Sequence, residues 1–546
     1  MPAAPQATPS KLKRSRWLGR LLGPTWQAAP VRRVIQTVCL VLFGLLVLWV
    51  SWPYGSPEYV KTLGRKEQIP AELFLLLDPL VGLSAALAGK IWVVALAWAG
   101  VVILLSLWFP RGFCGYLCPL GTTIDVFDRL ISRRIKRWQI REIGGWRNLK
   151  YYLLAATLIS AGCGVLFTGY VSAIPVVTRG FQFILGNLEL GLLKGWYLIP
   201  PANAGIYFSV LLFFIILGLG FLSPRFWCRY VCPSGALFSC FNQFRQQERK
   251  VTDACIDCGK CVPHCPFDAI RADFHTRFND CTYCETCGGV CPTGAIVFTT
   301  RSNTTLINKL KDENIREIPL TRRGFMTATV TGLAGGLGIP LTAKGNEPLV
   351  RPPGSVPEKL FLETCVRCGL CYQACPNSVL QPAGFGHGWD ALWTPEVVAR
   401  WSGCEPKCAN CGQVCPTGAI RPLPLEEKRV AHMGLAVLNL ETCLPYAKRD
   451  ACQLCYDECK AAGYDAIEFI RTGTELDASG NPVEGSGFLA PVIKAESCVG
   501  CGLCETRCYK INTVHKRLLP DTAIHVVAGI GKEDRIATGS YLGGDI

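Results

Sequence analysis

The chain has 546 residues and a net charge of +15, and half of its residues are hydrophobic while only 18% are charged. Soluble domains usually hold about 25% charged residues, so this composition excludes a disordered protein and favours several membrane segments. The chain also holds 31 cysteines, and their spacing must distinguish disulfides from metal sites.

Four apolar stretches without acidic or basic residues are long enough to cross a bilayer as helices: residues 34–52, 91–109, 151–170 and 204–222. A further stretch, residues 71–89, is interrupted at Asp78-Pro79 and is predicted to lie at the membrane interface. Asp78 is interpreted as the N-cap of a helix that starts at Pro79, and proton transfer is the alternative. The expected fold of residues 34–250 is an α-helical membrane bundle of four helices.

Basic residues predict the orientation of this bundle. The tail of residues 1–33 holds seven Lys and Arg and the segment 111–150 holds nine, whereas only Arg179 and Lys194 lie between the third and fourth stretches. Because cytoplasmic segments retain positive charge, the tail and the segment 111–150 are predicted to be cytoplasmic. Membrane anchoring explains these charges, so no nucleic-acid partner is predicted.

Residues 251–300 contain two four-cysteine runs with the spacing of a bacterial two-cluster ferredoxin, each followed by proline. The runs are Cys255, Cys258, Cys261 and Cys265, and Cys281, Cys284, Cys287 and Cys291. In this pattern the fourth cysteine of each run binds the cluster of the other run, so Cys291 is predicted to join the first cluster and Cys265 the second. Structural zinc is the alternative. The orientation predicts that this domain is cytoplasmic.

A polar linker at residues 301–323 ends in Thr321-Arg322-Arg323-Gly324. Residues 324–343 are predicted to be a twin-arginine-type export signal and a fifth membrane helix. The net charge is +18 up to Arg323 and −3 after it, which favours a periplasmic location for residues 344–546. A basic membrane anchor or a buried linker is the alternative.

Residues 344–546 carry four more cysteine runs, and this domain is predicted to be α+β and ferredoxin-like. The runs are Cys365, Cys368, Cys371 and Cys375; Cys404, Cys408, Cys411 and Cys415; Cys443, Cys452, Cys455 and Cys459; and Cys498, Cys501, Cys504 and Cys508. All six runs together predict six [4Fe–4S] clusters. So many clusters leave little room for a separate hydrophobic core, so the clusters should hold this domain together.

A different motif, Cys-x3-Cys-Pro, follows the second and the fourth apolar stretches. It contributes Cys114 and Cys118 in the first copy, and Cys228 and Cys232 in the second. The two pairs could hold a metal or cluster jointly, act as redox dithiols, or be structural, and the duplication favours a functional role. The remaining cysteines, Cys39, Cys163 and Cys240, are assigned no role.

These motifs resemble those of known families. The region up to about residue 298 resembles NapH and MauN, membrane proteins with two Cys-x3-Cys-Pro motifs and a two-cluster ferredoxin segment, an arrangement that NosR and CcoG share. From Thr321 to about residue 519 the chain resembles NapG and MauM, exported ferredoxin-type proteins with four clusters. The similarity is strongest where Met433-Gly-Leu-Ala-Val leads to Cys443.

The resemblance implies a fusion of NapH-type and NapG-type proteins that crosses the bacterial inner (cytoplasmic) membrane several times. Its implied substrate is quinol from the membrane pool, and its implied electron acceptor is a periplasmic cytochrome or terminal reductase. The export signal would be internal here, whereas it is N-terminal in separate family members. A copper reductase resembling CcoG and a non-catalytic maturation factor for a periplasmic metalloenzyme are the alternatives. By analogy with other four-cluster subunits, the first C-terminal run is expected to exchange its fourth cysteine with the last run, and the two middle runs to exchange theirs.

Overall fold

The computed structural model describes residues 28–52, 66, 68–134, 146–302, 322–342, 348–475, 483 and 486–542. Most of the predicted basic tail and of the linker at 301–323 lie outside these residues. The chain divides into two compact units. The first comprises Met1–Leu42, Val101–Tyr151 and Leu217–Thr321, and the second comprises Phe43–Gly100, Tyr152–Ile216 and Arg322–Ile546.

The four apolar stretches are helical, although two are shorter than predicted. The helices are Pro30–Ser51, Val94–Trp108, Leu149–Gly162 and Ala204–Gly218, the last continued by a 3-10 turn, Leu219–Phe221. Among the described residues, Pro30–Ser51 and Ala204–Phe221 are long and apolar enough to span a bilayer. The other two have 15 and 14 residues, which is about 22 and 21 Å at 1.5 Å per residue, short of a hydrocarbon layer of roughly 30 Å. Two of the predicted spans are thus supported, and the other two remain predictions.

The segment around Asp78 folds as its sequence indicates. A short helix, Leu73–Leu76, is followed by Pro79–Gly89, and the Asp78 side chain accepts a hydrogen bond from the Leu80 N–H at 3.1 Å. The other carboxylate oxygen accepts the Ser172 hydroxyl at 2.6 Å. The N-cap interpretation of Asp78 is therefore confirmed, because Pro79 occupies the first helical position, where no amide hydrogen is needed.

Short helices connect the third and fourth apolar helices. They are Thr168–Val171, Ala173–Phe181 and Asn187–Leu193, with a π-turn at Gln182–Gly186 and a 3-10 turn at Trp196–Leu198. All of them belong to the second unit.

In the first unit, each Cys-x3-Cys-Pro motif lies in a π-turn followed by a helix. The turns are Phe113–Leu117 and Trp227–Val231, and the helices are Pro119–Arg134 and Pro233–Phe241. The cysteine-rich domain of this unit consists of the helices Cys261–His264 and Thr286–Val290 and an antiparallel strand pair, Gln247–Val251 with Ile296–Thr300. Two 3-10 turns, Trp146–Asn148 and Asn242–Phe244, complete the described elements of this unit.

The second unit begins its C-terminal part with the helix Arg322–Thr342. This helix covers the predicted fifth span, which remains a prediction because the helix is not one of the two candidates found among the described residues. The other helices are Glu358–Thr364, Leu370–Ala374, Asn410–Gln413, Leu425–Val430, Leu454–Ala461 and Leu503–Cys508, with a π-turn at Tyr509–His515 and 3-10 turns at Phe385–His387 and Ala495–Ser497.

Three antiparallel strand pairs complete the described part of this domain. They are Leu380–Pro382 with Pro395–Val397, Leu435–Leu438 with Ile524–Val527, and Ile467–Thr472 with Phe488–Ile493. Helices together with antiparallel strand pairs are expected for an α+β domain. One buried core contains six cysteines among thirteen residues: Cys443, Cys455, Cys459, Cys498, Cys504 and Cys508, packed with aliphatic side chains. Such a core depends on what the thiols bind.

Candidate iron–sulfur centres

The first unit brings together the two sets of cysteines that the ferredoxin spacing predicted. One set lines a cavity of about 380 Å³ and consists of Cys255, Cys258, Cys261 and Cys291. The other lines a cavity of about 340 Å³ and consists of Cys265, Cys281, Cys284 and Cys287. The strand before Cys255 pairs with the strand after Cys291, which closes the domain and places the last cysteine beside the first run.

The C-terminal domain also forms four sets. Cys415 joins Cys365, Cys368 and Cys371 around a cavity of about 360 Å³. Cys459 joins Cys498, Cys501 and Cys504 around a cavity of about 390 Å³. The Cys375 thiol interacts electrostatically with the second run, and the Cys508 thiol with the third. Each set therefore takes its fourth member from the neighbouring run.

The expected exchange between the first and last runs is wrong, and strand pairing is the reason. The strand that follows Cys375 pairs with the strand that precedes Cys404, and the strand that follows Cys459 pairs with the strand that precedes Cys498. Each pairing brings adjacent runs together. The domain is therefore two successive ferredoxin-like pairs, each with the same exchange as the N-terminal pair.

The cysteine sets are suited to a multi-iron cluster. Each set that lines a cavity consists of four cysteines, three from one run and the fourth from another. Backbone N–H groups donate to the sulfurs, as from Ala269 to Cys265 Sγ at 3.2 Å, which stabilises a thiolate ligand. The exchanged fourth cysteine is typical of ferredoxins with two cubanes, which favours clusters over the zinc alternative.

Contacts between the C-terminal sets arrange them in one order. The Cys371 thiol of the first set interacts electrostatically with Cys411 of the second. The Cys404 N–H of the second set donates to the Cys501 carbonyl at 2.7 Å. The Cys504 thiol interacts with that of Cys455. The four sets are therefore arranged in space in this order: the set that contains Cys365, then those that contain Cys404, Cys498 and Cys443.

The thiols of the two Cys-x3-Cys-Pro motifs lie together in the first unit. The Cys232 thiol interacts electrostatically with those of Cys228, Cys114 and Cys118. Cys118 and Cys232 are only 8% and 6% exposed. Both have extended backbone conformations, so each π-turn ends at its second cysteine and the following proline starts a helix.

An arginine precedes each motif and reaches into the other one. Arg225 donates to the carbonyls of Cys114 at 3.4 Å and Gly121 at 3.2 Å. Conversely, Arg111 Nη2 lies 3.2 Å from the position that a Cβ atom would take at Gly235. Both guanidinium groups lie over the ring of Phe267, at 5.4 Å for Arg111 and 4.5 Å for Arg225. The motifs are thus interlocked by reciprocal arginines.

Two aspartates that the sequence analysis did not single out hold these arginines. Asp125 pairs with Arg225 at 2.5 Å and Arg33 at 2.6 Å. Asp280, next to Cys281, pairs with Lys150 at 2.5 Å and also with Arg111. Burial alone would raise the pKa of Asp125, but the charge and hydrogen bonds of Arg225 and the neighbouring arginines hold it well below its usual value. The carboxylate is therefore ionised at neutral pH. A local sequence pattern could not reveal these pairs, since the partners lie 92 to 169 residues apart in the chain.

Arg179, in the helix Ala173–Phe181, was also missed. It is fully buried, and its guanidinium lies 4.2 Å from the centre of the Trp393 ring. Nη1 donates to the carbonyls of Gly169 at 2.7 Å and Arg367 at 2.5 Å. Burial lowers its pKa to about 10, opposed by the tyrosines Tyr372 and Tyr170 and the Cys368 thiol. Because Arg367 lies between Cys365 and Cys368, this cation is positioned beside the first C-terminal set.

Comparisons with known proteins support iron–sulfur binding at the runs that start at Cys255 and Cys365, and they also match the segments that hold the Cys-x3-Cys-Pro motifs. Two family models, both described as "4Fe-4S binding domain", match the chain, one at residues 91–137 and 206–252 and the other at 249–271 and 359–381. The ferredoxin-type protein MauM of Methylorubrum extorquens is 37% identical over 210 residues, which covers 37% of this chain and 86% of that protein. The chain belongs to the MauM and NapG family of ferredoxin-type proteins.

Other relatives extend the likeness. NapG of Escherichia coli, described as a ferredoxin-type protein, is 38% identical over 34% of this chain and 80% of its own length. MauN of Paracoccus denitrificans, a methylamine utilization ferredoxin-type protein, is 28% identical over 43% of this chain and 75% of its own length. No solved structure matches the chain. The MauM and NapG relationship establishes an electron-transfer iron–sulfur protein of the ferredoxin type.

Proposed function

We propose that this protein is a membrane-bound quinol dehydrogenase that transfers electrons through six [4Fe–4S] clusters to a periplasmic acceptor such as a multihaem cytochrome or a terminal reductase. The observation that carries the proposal is the continuous order of the four C-terminal cysteine sets, with a buried cation beside the first of them. Each cluster, when bound, takes up and releases one electron at a time.

Exposed apolar helix faces support membrane insertion. Only 33% of the most apolar 18-residue window is buried in each of the candidate spans Pro30–Ser51 and Ala204–Phe221, whereas the core helix of a soluble domain is mostly buried. Large side chains on both are more than half exposed, including Leu45 at 59% and Leu211 at 56%. Apolar faces of this extent are stable in a hydrocarbon layer, where backbone groups are satisfied within the helix.

The first C-terminal set is the proposed entry point for electrons. Within the second unit, Arg367 Nη1 donates to the Leu166 carbonyl at 2.8 Å, just after the helix Leu149–Gly162, and Arg179 donates to the Arg367 carbonyl. Trp393 Nε1 donates to the Gly205 carbonyl at 2.7 Å, in the helix Ala204–Gly218. These contacts tie the first set to the ends of two apolar helices. Buried positive charge beside the set favours its reduced, more negative state.

The set with Cys443 lies at the other end of the order and is the proposed exit point. Its member Cys452 directly follows the four exposed residues 448–451. Such a location lets a soluble acceptor approach closely. The resemblance to NapG and the orientation predicted from basic residues both suggest that this acceptor is periplasmic.

The two sets of the first unit are proposed to be cytoplasmic. A hydrocarbon layer of roughly 30 Å is too thick for one direct electron transfer. Quinone diffusing in the membrane is the proposed connection, since it can exchange electrons on either side.

The decisive test uses the full-length protein, purified in detergent without oxygen and with its iron quantified. A reduced menaquinone analogue is added and cluster reduction is followed by electron paramagnetic resonance. The expected result is reduction of several clusters, with no change when the oxidised analogue is added. A preparation with about 24 irons per chain and no response to quinol would refute quinol oxidation. Reduction of Cu(II) without a quinol response would favour the copper reductase, and inert clusters would favour a maturation factor.

A further inference from the structure

A basic surface lies beside the set that contains Cys443, and the proposed electron path does not use it. Its five members are all exposed: Lys448, Arg449, Lys510, Lys516 and Arg517. We propose that this basic surface binds the acidic face of a soluble acceptor protein that takes up one electron at a time. The inference deepens the proposed function and rests on it for the position of the exit set.

Hydrogen bonds hold both segments of the basic surface against this set. The buried side chain of Asn512 donates through Nδ2 to Cys452 Sγ and to Cys508 Sγ, each at 3.7 Å. Cys452 directly follows the exposed residues 448–451. The same amide therefore ties the turn Tyr509–His515 to the cysteine that follows the other segment. A protein bound at the basic surface thus comes close to a cysteine of the exit set.

Acidic side chains do not neutralise the basic surface. In the part of the chain that the structure describes, none of its members forms an ion pair, whereas Lys460 and Lys494 of the same domain both pair with Asp465. The segments 448–451 and 510–518 hold one acidic residue, Asp450, although residues 324–546 carry 20 basic and 23 acidic residues. Positive charge is therefore concentrated beside the exit set. Charges of one sign on an interface attract a partner of the opposite sign and repel others.

Apolar side chains lie among these charges. Val514 is 51% exposed and Leu518 is 41% exposed, and both belong to the segment 510–518. A redox complex that forms and separates repeatedly has a small interface, in which charges steer the approach and a few apolar groups make close contact. The basic surface has both features. Anionic lipid carries the same charge as an acidic protein, but lipid does not accept an electron from the adjacent set, so the position of the surface favours a redox protein.

The step at this surface moves one electron. The acceptor is reduced by one electron while the exit set gives up one electron, and no bond is made or broken. No proton is transferred, so the surface needs no acid or base. A one-electron centre such as a haem is therefore the class of acceptor group that this surface serves.

The test first measures binding without electron transfer. The full-length protein is placed in phosphatidylcholine nanodiscs without oxygen and kept oxidised, and its affinity for oxidised cytochrome c is measured by isothermal titration calorimetry. The probes are native cytochrome c, which is basic, and the same protein with its lysines succinylated, which replaces each positive charge with a carboxylate. We expect the succinylated form alone to bind. Its affinity should fall roughly tenfold or more between ionic strengths of about 0.01 M and 0.15 M, since the screening length falls from about 30 Å to about 8 Å.

Two variants with the same total charge locate the binding surface. Lys510→Glu/Lys516→Glu reverses two charges of the basic surface, and Lys359→Glu/Lys407→Glu reverses two exposed charges elsewhere in the domain. The first variant should bind the succinylated form roughly tenfold or more weakly and, after reduction with dithionite, should reduce it more slowly, because charges at an interface set the association rate. The second variant is the matched control and should differ from wild type by less than about twofold in both measurements.

Equal affinities for the two forms of cytochrome c would overturn the proposal, as would equal effects of the two variants. If the first variant does not assemble, the wild-type comparison of the two probes at two ionic strengths decides. A loss of phosphatidylglycerol retained per chain in Lys510→Glu/Lys516→Glu, but not in the control, would assign the surface to lipid and also overturn the proposal. Dithionite supplies the electrons here. A failure of quinol oxidation therefore leaves the docking result standing, and absence of charge-selective binding leaves quinol oxidation standing.

Discussion

The pairing of cysteines in the C-terminal domain yields a prediction with a numerical outcome. In the structure, Cys368 and Cys415 belong to one set, whereas exchange between the first and last runs would assign them to different sets. Each [4Fe–4S] cluster contributes about four irons. The double variant Cys368→Ser/Cys415→Ser should therefore lose about four irons per chain, the same number as Cys368→Ser alone.

The matched control combines mutations from different sets. Cys415 belongs with Cys368, while Cys404 belongs to the second set with Cys375. The double variant Cys404→Ser/Cys415→Ser should therefore lose about eight irons, because two clusters fail to assemble. Exchange between the first and last runs would instead predict a loss of about eight irons from Cys368→Ser/Cys415→Ser, whereas both pairings predict about eight from Cys404→Ser/Cys415→Ser, which therefore serves as the control.

Iron per chain is measured by mass spectrometry of anaerobically purified protein, normalised by amino-acid analysis. Circular dichroism of each variant checks that the domain remains folded, since the cysteines form much of its core. A loss of eight irons from Cys368→Ser/Cys415→Ser would refute the adjacent pairing. A loss of about sixteen irons from either double variant would show that all four clusters of the domain fail together.

Three further predictions concern charged groups. Asp125→Asn removes the partner of buried Arg225 and should destabilise the first unit by roughly 3 to 5 kcal/mol at pH 7, measured by thermal unfolding. Because the pKa of Asp125 is lowered in the folded state, its carboxylate contributes fully to the free energy of unfolding above its unfolded pKa near 3.8. The stability difference between Asp125→Asn and wild type should therefore shrink as the pH falls below this unfolded pKa. Arg179→Gln should lower the reduction potential of one C-terminal cluster, measured by redox titration with electron paramagnetic resonance. Glu358→Gln weakens the pairing with Arg351 and should destabilise the C-terminal domain by roughly 1 kcal/mol, a small value because the carboxylate is partly exposed.

Each of these predictions has a control and a contrary result. Asp465→Asn removes a more exposed ion pair and should change thermal stability far less than Asp125→Asn, and equal effects would contradict the buried network. Arg400→Gln changes a half-exposed arginine and should leave the potentials unchanged. An Arg179→Gln variant with wild-type potentials would show that this cation does not act on the cluster. For Glu358→Gln, a loss of stability that does not shrink at all as the pH falls below the unfolded value of 4.5 would contradict an ionic origin.

Local sequence patterns determined the features that depend on a few neighbouring residues. Gaps of two residues keep three thiols within one loop, because a residue extends the chain by at most about 3.6 Å. The runs starting at Cys255 and Cys365 could therefore be read directly, and so could the helix start at Asp78-Pro79. Apolar runs likewise predicted the helix Pro30–Ser51 within a few residues.

Tertiary structure decided which distant segments meet. The fourth cysteine of each set comes from another run, and strand pairing such as Ile467–Thr472 with Phe488–Ile493 selects that run. The burial of Arg179 beside Cys368 and the interlocking of Arg111 with Arg225 also depend on contacts over about 100 residues or more. The local sequence around a cysteine or an arginine does not indicate which distant residue its side chain contacts. Its position follows only when helices and strands pack, because hydrogen bonds and buried charge must then be satisfied together.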